Sequence, residues 1–217
     1  MDEKGCSRGT SATTYFAHSL PGEDERFWQP LPAPLLNVGA AAGAFASVFD
    51  AQMLATVQGW LHDLGKYTLP FQERLRGSPL RVDHSTHGAR IIAQQRFGLA
   101  GQLLAYGIAG HHAGLANGQG EGERTALADR LRSADLPVLD PVWERDIALP
   151  DKLGLPSGFK FYGETRQQAK DRQPFQLAFL TRMLFSCLVD ADFIDTERFY
   201  RQAENEPDHR NSGPPAP

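Results

Sequence analysis

The chain has 217 residues, 41% of them hydrophobic and 22% charged, with a formal net charge of −4 at pH 7. That length suits one ordinary domain that buries its own core, with residues to spare for a tail. The negative charge argues against a strong autonomous nucleic-acid binder, which is usually basic, and Cys6 and Cys187, far apart and in no CxxC pattern, exclude a disulfide framework.

In chain order, residues 1–14 are polar and read as a flexible leader. No signal peptide and no apolar run near 18 residues is visible, so no membrane span is expected and a reducing cytoplasm is the default compartment. Pro30, Pro32 and Pro34 mark a loop before a helix carrying Leu35, Leu36, Val38, Ala42, Phe45, Val48 and Phe49. Leu54, Val57, Leu61 and Leu64 then recur at spacings of three and four, the stripe of an amphipathic helix, with Gly65 placed to end it. Ser85 to Phe97 predicts a third helix, Ala100 to His112 a fourth and Glu123 to Ala134 a weaker fifth. Leu136 to Gly163 is rich in Pro and Gly and reads as a long irregular loop. The last helix is expected to begin at Pro174 and to run through Phe175, Phe179, Leu180, Met183, Leu184, Cys187 and Leu188, with Cys187 a buried small hydrophobe. Asn205–Pro217 is a Gly/Pro-rich tail or the start of a linker. Almost no alternating strand pattern occurs, so the fold class is all-α, an irregular helical bundle over residues 15–204.

Six of the seven histidines fall between residues 18 and 112. His62 and Asp63 are adjacent at the end of an apolar helix, followed by Gly65 and Lys66. Adjacent helical side chains point about 100° apart, so one ion beside the helix can be reached by both. Imidazole and carboxylate suit divalent ions such as Mn, Fe, Ni, Co and Zn, and a carboxylate can bridge two of them. A lone His-Asp pair is weak evidence, because a helix-terminal polar pair looks the same. The rest of the set changes the weighing. His111 and His112 form a second adjacent pair within Gly110-His111-His112-Ala113-Gly114, and two contiguous imidazoles are awkward to bury without a shared partner. His84 follows Asp83, and His18 lies in Tyr15-Phe16-Ala17-His18-Ser19. Asp190 and Asp192 interrupt the apolar face of the last helix, where a buried carboxylate is costly without a cation. They are two apart, about 200° around the axis, so they cannot both face one metal.

This ordered string resembles a known family. Ala17-His18-Ser19, then His62-Asp63-Leu64-Gly65-Lys66, then Asp83-His84-Ser85 with Gly88-Ala89, then Gly110-His111-His112-Ala113-Gly114, then Leu188-Val189-Asp190-Ala191-Asp192 looks like the HD nuclease domain of the type I CRISPR interference helicase-nuclease. The resemblance runs from about Tyr15 to Arg198. It implies a helical domain that cuts single-stranded DNA with two divalent transition metals (Mn, Fe, Ni, Co or Zn, with Mg possible). Residue by residue it implies that Asp63 bridges the ions, and that His18 and His62 with a carboxylate of the last helix hold the first. His84, His111 and His112 would hold the second, and Lys66 would face the scissile phosphate. Ala191-Asp192-Phe193 matches the family without a gap, which selects Asp192 over Asp190. His87 departs from the pattern, standing where the family more often has a small residue, as an outer-shell group or a competing ligand. The partners implied are a CRISPR helicase domain or subunit and an RNA-guided surveillance complex. No GxxxxGK[ST] phosphate loop is present, so the helicase is expected on another subunit or beyond a linker.

Two weaker features remain open. Lys66, Arg74, Arg76, Arg81 and Arg90 give a basic bias that suits either a groove for a phosphate backbone or an ordinary solvated face. Tyr15, Phe16 and Trp60 suit base stacking or, more often, a core. The competing readings of the whole are an HD phosphohydrolase of nucleotides or cyclic dinucleotides, and a docking module with a closed structural metal.

Overall fold

The computed structural model describes residues 13–94, 97–119 and 125–206. Most of the expected leader and tail, with Cys6 and His209, lies outside them. The described residues form eight α-helices and one two-stranded antiparallel sheet, bearing out the all-α bundle. Strand β1 (Phe16–His18) pairs with β2 (Gln29–Pro30) and leads into α1 (Pro32–Ala46) and α2 (Gln52–Leu61). Then come α3 (Leu69–Leu75), α4 (Thr86–Gln94), α5 (Gly98–Gly110), α6 (Leu127–Arg132), α7 (Trp143–Asp146) and the long α8 (Arg166–Ala203).

The apolar stripes read from the sequence converge on one core. Leu35, Val38 and Ala42 of α1, Val57 and Leu61 of α2, Leu104 and Ile108 of α5, and Leu184 and Leu188 of α8 are fully buried together. Pro at the start of α1 presets its first turn. Gly88 lets α4 lie directly on the end of α2, because a β-carbon there would strike the Leu61 carbonyl oxygen. The last turn of α2, from which the His62–Asp63 pair emerges, is thereby wedged between α4 and the core.

Four expectations are corrected. The last helix starts at Arg166, and Pro174 lies inside it. It is capped by Thr165, whose hydroxyl accepts from the Gln168 amide (3.2 Å) while the Gln168 side chain accepts from the Glu164 amide (2.9 Å). This reciprocal cap outweighs proline as a start signal. The segment 136–163 is irregular but not loose. It contains α7, buries Trp143 and Ile147, and is tied down by the Tyr15 hydroxyl on Asp140 and the Tyr67 hydroxyl on Asp146, both at 2.6 Å. Helix α3, about two turns long and burying Phe71 and Gln72, is too brief to leave a periodic signal. Finally, Pro32–Phe49 is long and apolar enough by composition to cross a membrane (mean hydropathy 1.3), where no such run was expected. Alanines raise its average without forming an uninterrupted run. In this fold it is a core helix, and Asn37 within it donates to the Asp195 carboxylate.

Candidate metal centre

At the end of α2 the backbone leaves the helix at Asp63 (φ −112°, ψ 22°) and enters a tight turn over Leu64–Tyr67. The turn folds Lys66 back, so that its ammonium donates to Asp63 Oδ2 (2.7 Å) and to the Ala17 carbonyl (3.2 Å). Gly65 does not cap the helix in a left-handed conformation, as expected of it. It serves close approach: its amide donates to the His84 carbonyl (2.9 Å), and a β-carbon would come within 2.5 Å of the His84 backbone. The His84 turn is held from its other side by Asp83, whose Oδ1 accepts from the Ser85 and Thr86 amides at 3.0 Å and so caps α4. His111 and His112 follow the last turn of α5, and α8 brings in Asp192.

Around Asp63 Oδ1 stand the Nε2 atoms of His111 (3.3 Å), His84 (3.5 Å) and His112 (3.9 Å). His62 Nε2 lies 3.3 Å from Asp63 Oδ2 and 3.4 Å from Asp192 Oδ1, and the His84 and His112 Nε2 atoms are 2.8 Å apart. Two overlapping ligand sets result, each spanning no more than 4.8 Å: Asp63, His84, His111 and His112, and His62, His111 and Asp192. Each of three rings turns its Nδ1 to a backbone carbonyl: His62 to Gly59 (2.6 Å), His111 to Ile108 (2.7 Å) and His84 to Val82 (3.3 Å). In a neutral ring whose Nδ1 donates, Nε2 keeps its lone pair for a ligand, the arrangement that fixes tautomer and orientation at metal sites. His62 Nε2, His111 Nε2 and Asp63 Oδ1 are buried and make no hydrogen bond, although they lie within ion-pair distance of one another or of Asp192. Three such orphans at one point are costly unless a cation satisfies them. The donor set, imidazoles with two carboxylates, fits a divalent ion.

The electrostatics agree with that fit. Burial, with the nearby Lys66 ammonium, depresses the His18 pKa to about 4, and burial with the His111 ring does the same to His112. Burial also lowers His84. These rings are neutral at pH 7, as ligands must be. His62 differs. Burial would lower it, but the Asp63 and Asp192 carboxylates raise it to about 10. Asp63, for its part, is held well below the carboxylate range by Lys66 and His62, although burial opposes this. A proton on His62 thus balances charge that a cation could balance instead.

The structure brings together six of the seven expected ligands and leaves one aside. His18 lines the same pocket of about 310 Å³ with Asp63, Lys66, His111, His112 and Asp192, but its ring stacks on Phe199 (5.8 Å) and joins neither ligand set. His111 belongs to both sets, where it was expected in one. Asp192 faces the site, whereas Asp190 is exposed and does not reach the buried face assigned to it. His87 is neither ligand nor outer shell. It is buried against the Pro137 carbonyl (2.8 Å), because His84 precedes α4 and the two do not share a helical face. The basic run disperses: Lys66 is buried on Asp63, Arg76 pairs with Glu25 (2.6 Å), and Arg90 donates to the Ser133 carbonyl (2.5 Å). Tyr15 and Phe16 are core, and Trp60 packs against Gly39. Two charged groups carried no sequence signal. Asp195, buried, accepts from Gln29 (3.2 Å) and Asn37 (2.9 Å) and anchors α8. Arg130 of α6 joins the Asp83 turn to the end of α5.

Compared with protein-family models and with curated proteins, the sequence matches none.

Proposed function

We propose that this chain is a metal-dependent phosphodiesterase of the HD type, an endonuclease for single-stranded DNA that works in CRISPR type I interference beside a helicase. The observation that carries the proposal is the convergence of three orphaned buried ligand atoms, His62 Nε2, His111 Nε2 and Asp63 Oδ1, with His84, His112 and Asp192 around them. His62 and Asp192 would help to hold one ion and His84 and His112 the other, with Asp63 and His111 offering the remaining ligand atoms. Bound divalent ions supply Lewis acidity, lowering the pKa of a coordinated water and offsetting charge on the phosphate.

The chain's own residues prepare this chemistry. Lys66 fixes Asp63 from one oxygen and leaves Oδ1 directed at the histidines. The Gly59, Ile108 and Val82 carbonyls engage Nδ1 of three rings and so leave Nε2 facing the cluster. His112, about half exposed, lines the pocket and is open to a substrate from solvent. Lys66, Arg76 and Arg90 are each engaged with groups of the chain itself, and delivery of the strand by a helicase guided by an RNA surveillance complex is part of the proposal. The buried free thiol of Cys187 is in keeping with the cytoplasm as the compartment.

A pocket of about 310 Å³ also has the size of a small-ligand site, which favours a nucleotide phosphohydrolase as the second reading. One assay separates the two. Chelator-treated protein is given circular single-stranded DNA, duplex DNA and free nucleotides, with each of several divalent ions. Nicking of the circle, lost in Asp63→Ala, is expected. Rapid hydrolysis of nucleotides with all DNA intact would select the second reading.

A further inference from the structure

We propose that Arg130 is the positioning residue of the histidine cluster, a single guanidinium that sets the spacing between the His84 turn and the end of α5. Its Nη2 donates to Ser85 Oγ (2.8 Å), Thr86 Oγ1 (2.7 Å) and Asp83 Oδ2 (3.1 Å), and its Nε to Thr86 Oγ1 (3.0 Å). These are the residues on either side of His84. On its other edge Nη1 donates to the Ala109 carbonyl, in the last turn of α5, two residues before His111. Carbonyls of a last helical turn have no partner within the helix, so this bond also completes α5 where the chain turns into the histidine pair. Asp83 answers as counterion: burial opposes its charge, but the Thr86 bonds and Arg130 hold its pKa at about 2.

The clamp is rigid on both sides. A guanidinium is planar, and its donors cannot move independently of one another. The segment bearing Arg130 is itself strapped to α4. Arg90 donates to the Ser133 carbonyl, and His87 meets the Pro137 carbonyl. Behind it, the Leu127 and Ala128 amides donate to the Asn117 and Gly118 carbonyls of the loop that follows His112. His84 lies in the turn before α4 and His112 just beyond α5, and their Nε2 atoms stand 2.8 Å apart. That separation depends on the distance between the two backbones, and Arg130 bridges them. Lysine could reach Asp83 or the Ala109 carbonyl but could not serve both faces of the clamp. This inference rests on the proposed metal site only for its consequence for metal affinity, not for the positioning itself.

The test uses the full chain in two parts. Histidine-ring NMR of the metal-free protein reads positioning directly, and a cobalt(II) titration followed by absorbance reads its consequence. Arg130→Lys should move the ring resonances of His84, His111 and His112. It should also weaken cobalt binding by roughly 10–100-fold, the range for outer-shell partners. In Arg130→Ala, added methylguanidinium should restore both. If Arg130→Ala does not fold, Asp83→Asn, which keeps shape and removes charge, should give a smaller shift of the same rings. Unchanged ring resonances and cobalt affinity in Arg130→Lys, with only thermal stability lost, would overturn the proposal. If those rings move while the wild type takes up no cobalt, the positioning role stands and the metal reading falls.

Discussion

At the scale of single residues, the site turns on which carboxylates and rings are held without partners. Asp192 reaches His62, and Asp190, two residues away, lies on the exposed side of the same helix. Asn keeps the size of Asp but removes the charge a cation needs. Asp192→Asn should therefore lose most metal and most nicking, whereas Asp190→Asn should match the wild type in both metal content and nicking. The reverse pattern would mean that the wrong carboxylate has been assigned. Asp195 supplies the contrast, a buried carboxylate on the same helix whose role is tethering. Asp195→Ala strands the buried Gln29 donor, while the exposed Asn37 amide can turn to water, so urea unfolding should show a loss of about 1–3 kcal/mol for the one buried group left unsatisfied. Its metal affinity should change far less than that of Asp192→Asn. Motif order made most of the ligands legible, since His62-Asp63, His84, His111-His112 and Asp192 are short local strings. Asp195 and Arg130 were not legible. Their meaning comes from partners 158 and 47 residues away, Asn37 and Asp83, and no local pattern encodes such a pairing.

At the scale of elements, glycine and tyrosine contacts decide how the site is framed. Gly65 was readable as a helix stop only because glycine often plays that part; its work here is to admit the His84 backbone. Gly65→Ala should cost about 1–3 kcal/mol through overpacking and should displace His84, measurable as a joint drop in melting temperature and metal affinity. A retained affinity would show that the His84 turn tolerates the shift. The segment carrying α7 makes a separate prediction, on the alkaline side. Burial and the Asp140 carboxylate raise Tyr15 to about 12, and burial and Asp146 raise Tyr67 further. Both hydroxyls must keep their protons to donate. Their folded pKa values exceed the unfolded value of about 10, so the stability they contribute is complete below that pH. It is lost as pH rises through the folded values. Spectroscopic titration of tyrosinate should show two late-ionising tyrosines, and the loss of stability above about pH 10 should shrink in Tyr15→Phe with Tyr67→Phe. Ionisation of every tyrosine near the unfolded value would contradict this. The helices themselves were legible wherever apolar periodicity ran for three turns, as in α1, α2 and α5. The start of α8 was not, because a side-chain cap at Thr165 is a weaker sequence signal than Pro174, which the helix absorbs.

At the scale of the whole molecule, the bundle is a frame that brings four chain segments to one buried point. Helix ends supply them: α2 gives His62 and Asp63, the turn into α4 gives His84, and α5 gives His111 and His112. Only Asp192 comes from mid-helix. Ions bound to the folded chain and not to the unfolded one must stabilise it by mass action. The most direct measurement is therefore calorimetric titration of chelator-stripped protein with manganese or cobalt, at neutral pH and in buffers of differing ionisation enthalpy. The account predicts two ions per chain. It also predicts release of about one proton on binding, because His62 carries one before metal arrives and must give it up to become a ligand. Asp63→Ala should weaken both events. Absence of binding, or binding that Asp63→Ala leaves untouched, would contradict the claim that this cluster is a metal centre.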